Sequence, residues 1–164
     1  MNTFKLIGLF GLVGLLGLMG SGGLVRVHAA GAEPWHPSET LAPSELAAML
    51  AKGSKPSIVY VGPRALFRTG QIPEAIFHGP TSERDALSEL KHWAASLPRS
   101  GLLVIYCGCC PLEKCPNIRP AFSALRSLGM TNVRVLVLET SFEKDWVAKN
   151  YQVDRAGQAG SEPR

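Results

Sequence analysis

The four cysteines of this 164-residue chain, Cys107, Cys109, Cys110 and Cys115, fall within nine consecutive positions. Thiols this close in sequence cannot staple distant segments together, so the cluster reads as a reactive or metal-binding site. Three chemistries fit it. A single activated thiolate can act as a nucleophile. Cys107 and Cys110 form a C-x-x-C pair, the spacing of dithiol–disulfide exchange, in which one thiolate attacks and the other resolves. All four together could hold a soft cation such as Cu(I) or Zn(II). The 107-109-110-115 spacing lacks the two separated C-x-x-C knuckles of structural zinc sites, which ranks metal binding below sulfur chemistry. The bland alternatives are a static local disulfide and a buried apolar cysteine.

The elements that must position these thiols are legible on either side of them. Leu102 to Tyr106 is an apolar run that ends on Cys107, and a helical pattern opens near Asn117 and stops at Gly129. This order sets Cys107 at the carboxyl end of a buried strand, beside a helix N-terminus. Ligands bind at that edge of open α/β sheets. The positive end of a helix favours anions and lowers thiol pKa values. Asn117 is a candidate helix cap. Arg119, two positions on, suits an anion or a thiolate neighbour.

Elsewhere apolar strand patterns alternate with helical ones. A helix is predicted from Pro43 to about Ala51, with Leu46, Met49 and Leu50 on its apolar face. Ser57 to Val61 reads as a buried strand and Ala65 to Arg68 as one helical turn. Ile72 to Phe77 reads as a turn entering a short strand. A helix from Glu83 to about Ala95 carries a capping pattern in Ser82 and Asp85. Val133 to Leu138 is a further strand. A last helix runs from about Phe142 to Lys149 and stops at Asn150, after which Tyr151 and Val153 pack back on the core. The alternation predicts a single α/β domain with a mainly parallel central sheet flanked by helices.

Residues 1–32 differ from the rest. Leu6 to Val25 is apolar and glycine-rich, and Ala30, Gly31 and Ala32 offer a cleavage point, the order of a secretory signal peptide. The alternative is an uncleaved membrane anchor, because 20 apolar residues can span a bilayer. Glycines at every third position from Gly8 to Gly23 suit close helix packing. Either way the domain is expected to be exported, periplasmic or otherwise extracytoplasmic, with membrane contact only through that segment. Lys5 and Arg26 lie in it and no acidic residue does. The other 132 residues thus carry 15 basic and 13 acidic side chains, a net charge of +2. So balanced a surface makes no case for nucleic acid. No P-loop, dinucleotide fingerprint or nucleophile elbow is present, and no cofactor is expected. Residues 33–39 form a proline-bearing lead-in, and the polar tail 154–164 is expected to be disordered.

Two local patterns resemble the rhodanese-like domain, over about residues 40–153. One is Val59-Tyr60-Val61 followed by Phe67, Gly70, Ile72, Pro73 and Ala75. The other is the strand ending on Cys107, the helix closing with Leu125 and Gly129, and then Asn132 and Val133. Trp146 and Tyr151 match the family's aromatic ending. The resemblance implies sulfur transfer. Cys107 would attack a sulfane sulfur, carry it as a persulfide and pass it to a thiol acceptor or redox partner protein. From the C-x-x-C spacing, Cys110 could release that persulfide by closing a disulfide with Cys107, and Gly108, Cys109, Asn117 and Arg119 would meet a small anion such as thiosulfate. The sequence departs from the family pattern at Tyr60, Gly62, Gln71 and Glu74. Its loop after Cys107 is longer, and Pro111 and Pro116 in that loop donate no amide.

Overall fold

The structure, a computed structural model, describes residues 35–155. The segment read as signal or anchor, and residues 156–164 of the tail, lie outside the described residues. Among the described residues no helix is long and apolar enough to cross a membrane.

Five strands form one parallel sheet: β1 Thr40–Leu41, β2 Ser57–Tyr60, β3 Ile76–Phe77, β4 Leu103–Tyr106 and β5 Val133–Leu136, in the order β1-β5-β4-β2-β3. The helices α1 Pro43–Ala51, α2 Arg64–Thr69, α3 Arg84–Ala94, α4 Ile118–Ser127 and α5 Phe142–Asp145 connect them. β4 is the middle strand, paired in register with β2 through Val104 against Ile58 and with β5 through Ile105 against Val135. All four of its residues are buried. That is why its sequence is continuously apolar rather than alternating, as parallel strands covered on both faces require.

Side chains alternate across β4. Leu103, Ile105 and Cys107 join Leu90 of α3 and Ile118, Ala121 and Leu125 of α4 in one core layer. Val104 and Tyr106 join Leu46 of α1, Ile72, Leu136 and Trp146 in the other. Cys107 therefore enters its layer as the next inward-facing position of the strand.

The expected elements from Pro43 to Leu136 form within one or two residues of their predicted bounds. Three local expectations differ. The last helix is broken: α5 stops at Asp145, and Val147–Lys149 is a separate 3-10 turn. The break falls at Trp146, whose backbone (φ −124°, ψ −61°) turns its indole into the core. There Nε1 donates to the Gln152 carbonyl at 2.8 Å. Asn150 then takes the left-handed conformation at φ 59°, and Tyr151 and Val153 pack against the core as expected. Second, Ser82 does not cap α3. Its amide instead donates to Asn117 Oδ1 at 3.0 Å. Third, Asp154 at the start of the expected tail pairs with Gln71, each amide donating to the other's carbonyl at 2.9 Å.

Trp146 is fully buried and packs between Phe142 and Tyr151, 6.3 and 5.0 Å away between ring centroids. Trp146→Ala is expected to cost about 3–5 kcal/mol, a large share of the roughly 5–15 kcal/mol that holds a domain folded. A urea midpoint shift with unchanged slope measures it.

Candidate active site

Cys107 is 2% exposed and follows β4 directly. Gly108 then reverses the chain at φ +71°, where an added Cβ would also stand 2.6 Å from Phe142 Cβ. The left-handed turn and the close approach together require glycine. The turn brings Cys109 back over Cys107, with 3.0 Å between their sulfurs, and Cys110 Sγ is 3.3 Å from that of Cys109. A 3-10 turn over Leu112–Lys114 then delivers Cys115 to the start of α4. The sulfurs of Cys107, Cys109 and Cys115 all lie within 4.8 Å of one another. All four cysteines are free thiols.

The helix N-terminus serves a different sulfur from the expected one. The backbone amides of Asn117 and Ile118 donate to Cys115, not to Cys107. A hydrogen bond from Cys107 together with these amides pulls the Cys115 thiol down to about 5, against the opposing effect of burial. Cys107 moves the opposite way. Its hydrogen bond to Cys115, then burial, then Cys109 hold its proton on well above the ordinary thiol range. Within this pair Cys115 is the thiol favoured as thiolate. Burial and the neighbouring Cys109 push Cys110 up to about 12.

Asn117 is not a side-chain cap, because its own backbone is already helical. Its side chain instead clips the site together. Oδ1 accepts from the Ser82 amide, and Nδ2 donates to Cys107 Sγ at 3.6 Å. Thr81 closes the clip, its hydroxyl donating to the Asn117 carbonyl at 2.6 Å. The Arg119 guanidinium stacks 4.3 Å over the Trp35 ring and lines an open cleft of about 790 Å³ with Pro111 and Glu113. That cleft, and another of about 780 Å³ near Arg134 and Tyr151, exceed the thiol pocket in size and contain none of the thiols.

A pocket of about 220 Å³ reaches Cys107, Gly108 and Cys109, walled by Tyr60, Leu66 and Phe142, with Glu143 at its edge. On another side of Cys107 a void of about 10 Å³ lies among Cys110, Cys115, Leu112, Ile118 and Leu138. It is about the size of one water, yet its lining is chiefly sulfur and hydrocarbon, which offers water too few partners.

Tyr60 is the site residue that sequence reasoning missed. Its hydroxyl is buried and has no hydrogen-bond partner. Burial first, then the neighbouring thiols, raise its pKa, so it remains a proton donor. A buried donor without a partner is costly, and this one belongs to the wall of the Cys107 pocket. The available signal was the pair of departures from the family pattern, because Gly62 provides the space. A Cβ there would stand 2.5 Å from Cys107 Sγ and 2.6 Å from the Tyr60 hydroxyl.

No protein-family model and no curated protein matches the chain. Solved structures do. A rhodanese-like domain from Anabaena sp. is 20% identical, with 77% of this chain and 89% of that one covered and a TM-score of 0.53. A Bacillus halodurans protein is 20% identical over 72% of this chain and 77% of its own, at 0.55. A thiosulfate sulfurtransferase from Pseudomonas aeruginosa is 18% identical at 0.51, covering 72% of this chain and 20% of the longer protein. Identities this low speak for fold alone. Together with the parallel five-stranded sheet and its flanking helices, they show that the chain has the rhodanese-like α/β fold.

Proposed function

We propose that this domain is a sulfurtransferase that carries sulfane sulfur as a persulfide on Cys107 and works outside the cytoplasm. One observation carries the reading: Cys107 Sγ sits at the carboxyl end of the central strand, reached by a pocket with an unpartnered Tyr60 hydroxyl in its wall. Ligands of parallel α/β sheets bind at that edge. The Cys107 sulfur bonds to the outer sulfur of the donor as the bond from that sulfur to the donor's organic thiol breaks. The electron pair leaves with that thiol, which takes the Cys107 proton, and Tyr60 donates to the transferred sulfur. Among the described residues the pocket lining holds Glu143 and no Lys, Arg or His. This favours a singly charged or neutral persulfide donor over the thiosulfate dianion. Export rests on the reading of residues 1–32.

The test is intact mass and sulfide analysis after one equivalent of an organic persulfide, with thiosulfate run in parallel. Uptake appears as a gain of about 32 Da on the Cys107 peptide or as released hydrosulfide. Neither product from either donor overturns the proposal. Tyr60→Phe is expected to slow loading about tenfold, the worth of one hydrogen bond to developing charge. Because that hydroxyl bonds to nothing in the resting site, the urea midpoint is expected to hold or rise. A second reading, a soft-cation or thiol–disulfide module, draws on the compactness of the Cys107, Cys109 and Cys115 sulfurs. Protein that retains Cu(I) or Zn(II) through dialysis, and takes up no sulfur, would favour it.

A further inference from the structure

We infer that the domain discharges its own persulfide, with Cys115 attacking Cys107 to release hydrosulfide and leave a Cys107–Cys115 disulfide. This rests on the persulfide reading above and changes its product. A simple transferase hands sulfur to an acceptor, whereas this site reduces it. In the step, the Cys115 thiolate forms a bond to the Cys107 sulfur. The bond from that sulfur to the outer sulfur breaks, and the electron pair leaves with the outer sulfur as HS⁻. Two cysteine sulfurs are oxidised by one electron each and the sulfane sulfur is reduced by two. A dithiol reductant, itself ending as a disulfide, must reopen the Cys107–Cys115 bond before the next turn.

Three observations select Cys115 over the other thiols. Its sulfur is within 4.8 Å of that of Cys107 and is held by the Asn117 and Ile118 amides, which suit a thiolate. It borders the small void beside Cys107 and not the entry pocket, whereas Cys109 lines the entry pocket. Displacement at sulfur runs in line. An outer sulfur pointing into the entry pocket is therefore open to displacement from the void side of Cys107, which Cys115 and Cys110 border and Cys109 does not. Cys110 completes the familiar C-x-x-C spacing, but it is outside the compact trio of sulfurs.

The experiment loads full-length protein with one equivalent of an organic persulfide, without reductant, and follows hydrosulfide and intact mass. Wild type is expected to liberate about one equivalent of hydrosulfide and finish about 2 Da light. Trypsin cuts after Lys114, so the new bond joins two peptides, one with Cys107 and one beginning at Cys115. Cys115→Ser is expected to keep the added 32 Da or so and to release nothing until an external thiol is added. Cys110→Ser is expected to behave as wild type. A wild-type protein that holds its persulfide overturns the inference and leaves the carrier reading standing. A Cys110→Ser protein that holds it while Cys115→Ser discharges also overturns the inference, in favour of the C-x-x-C pair. Absence of uptake in every variant instead defeats the carrier reading itself.

Discussion

Cys107→Ser is expected to take up no sulfur and release none, with loss of at least about 10³-fold in uptake rate, while remaining folded. The other thiols do not replace it. Cys110 and Cys115 do not line the entry pocket, and Cys109, which does, lies in the loop beyond the left-handed turn at Gly108 and not at the end of the central strand. A serine hydroxyl has nothing in this site able to take its proton as readily, and oxygen is the poorer nucleophile toward sulfur. The structural cost is small because the position is not purely apolar. Asn117 Nδ2 already points at this atom from 3.6 Å, so a buried hydroxyl finds a donor and the loss stays near 1 kcal/mol. Sulfide release and the urea midpoint, measured on the same preparation, separate the two effects. Uptake that survives in the folded variant would move the chemistry to another thiol.

Gly62→Ala is expected to lower loading roughly 10²-fold, the cost of misplacing reacting groups by about an ångström. The added methyl would stand 2.5 Å from Cys107 Sγ and 2.6 Å from the Tyr60 hydroxyl, so the new carbon meets both at once. Neither can withdraw freely. Cys107 ends the fully buried central strand, and the Tyr60 ring is packed against Phe67 and Tyr106 at centroid distances of 5.3 and 5.1 Å. Overpacking of this kind costs about 1–3 kcal/mol, which a domain of ordinary stability survives. A variant that folds yet loads slowly, and whose rate is not restored by more donor, fits displaced reacting groups. A variant that loads at the wild-type rate would show that the crowding at Gly62 is relieved without touching the site.

The order of elements was readable because its determinants are local. Four-residue runs such as Ile58 to Val61 and Leu103 to Tyr106, punctuated by Gly62-Pro63 and Pro98 to Gly101, announce buried strands whatever surrounds them. The position of Cys107 followed from the same pattern. The division of labour among the thiols did not, because it depends on which amides the folded loop aims at which sulfur. Asn117 has the composition of a cap, yet its side chain is recruited by Ser82, 35 residues earlier. Arg119 has the charge expected of an anion binder, yet its helix turns it toward Trp35. Tyr60 reads as one more core aromatic until the fold sets its hydroxyl beside Cys107. Trp146 broke the last helix because burying an indole outweighed a few terminal backbone hydrogen bonds, a balance that propensity at neighbouring positions does not register.

The partnership of β1 with β5 also sets the order in which the chain can finish folding. Thr40 pairs with Val135 and Leu41 with Leu136, so the first strand waits for the last while nearly a hundred residues accumulate between them. Contacts so distant in sequence form late, after the entropy of closing the intervening loop has been overcome. The cysteine loop is synthesised inside that interval, before β5 can cover the second edge of β4. During that period the thiols meet the surrounding redox conditions without the protection they have in the finished domain. A nascent chain that ends short of Val133 lacks the partner of β1 and leaves the strand leading to Cys107 open along one side.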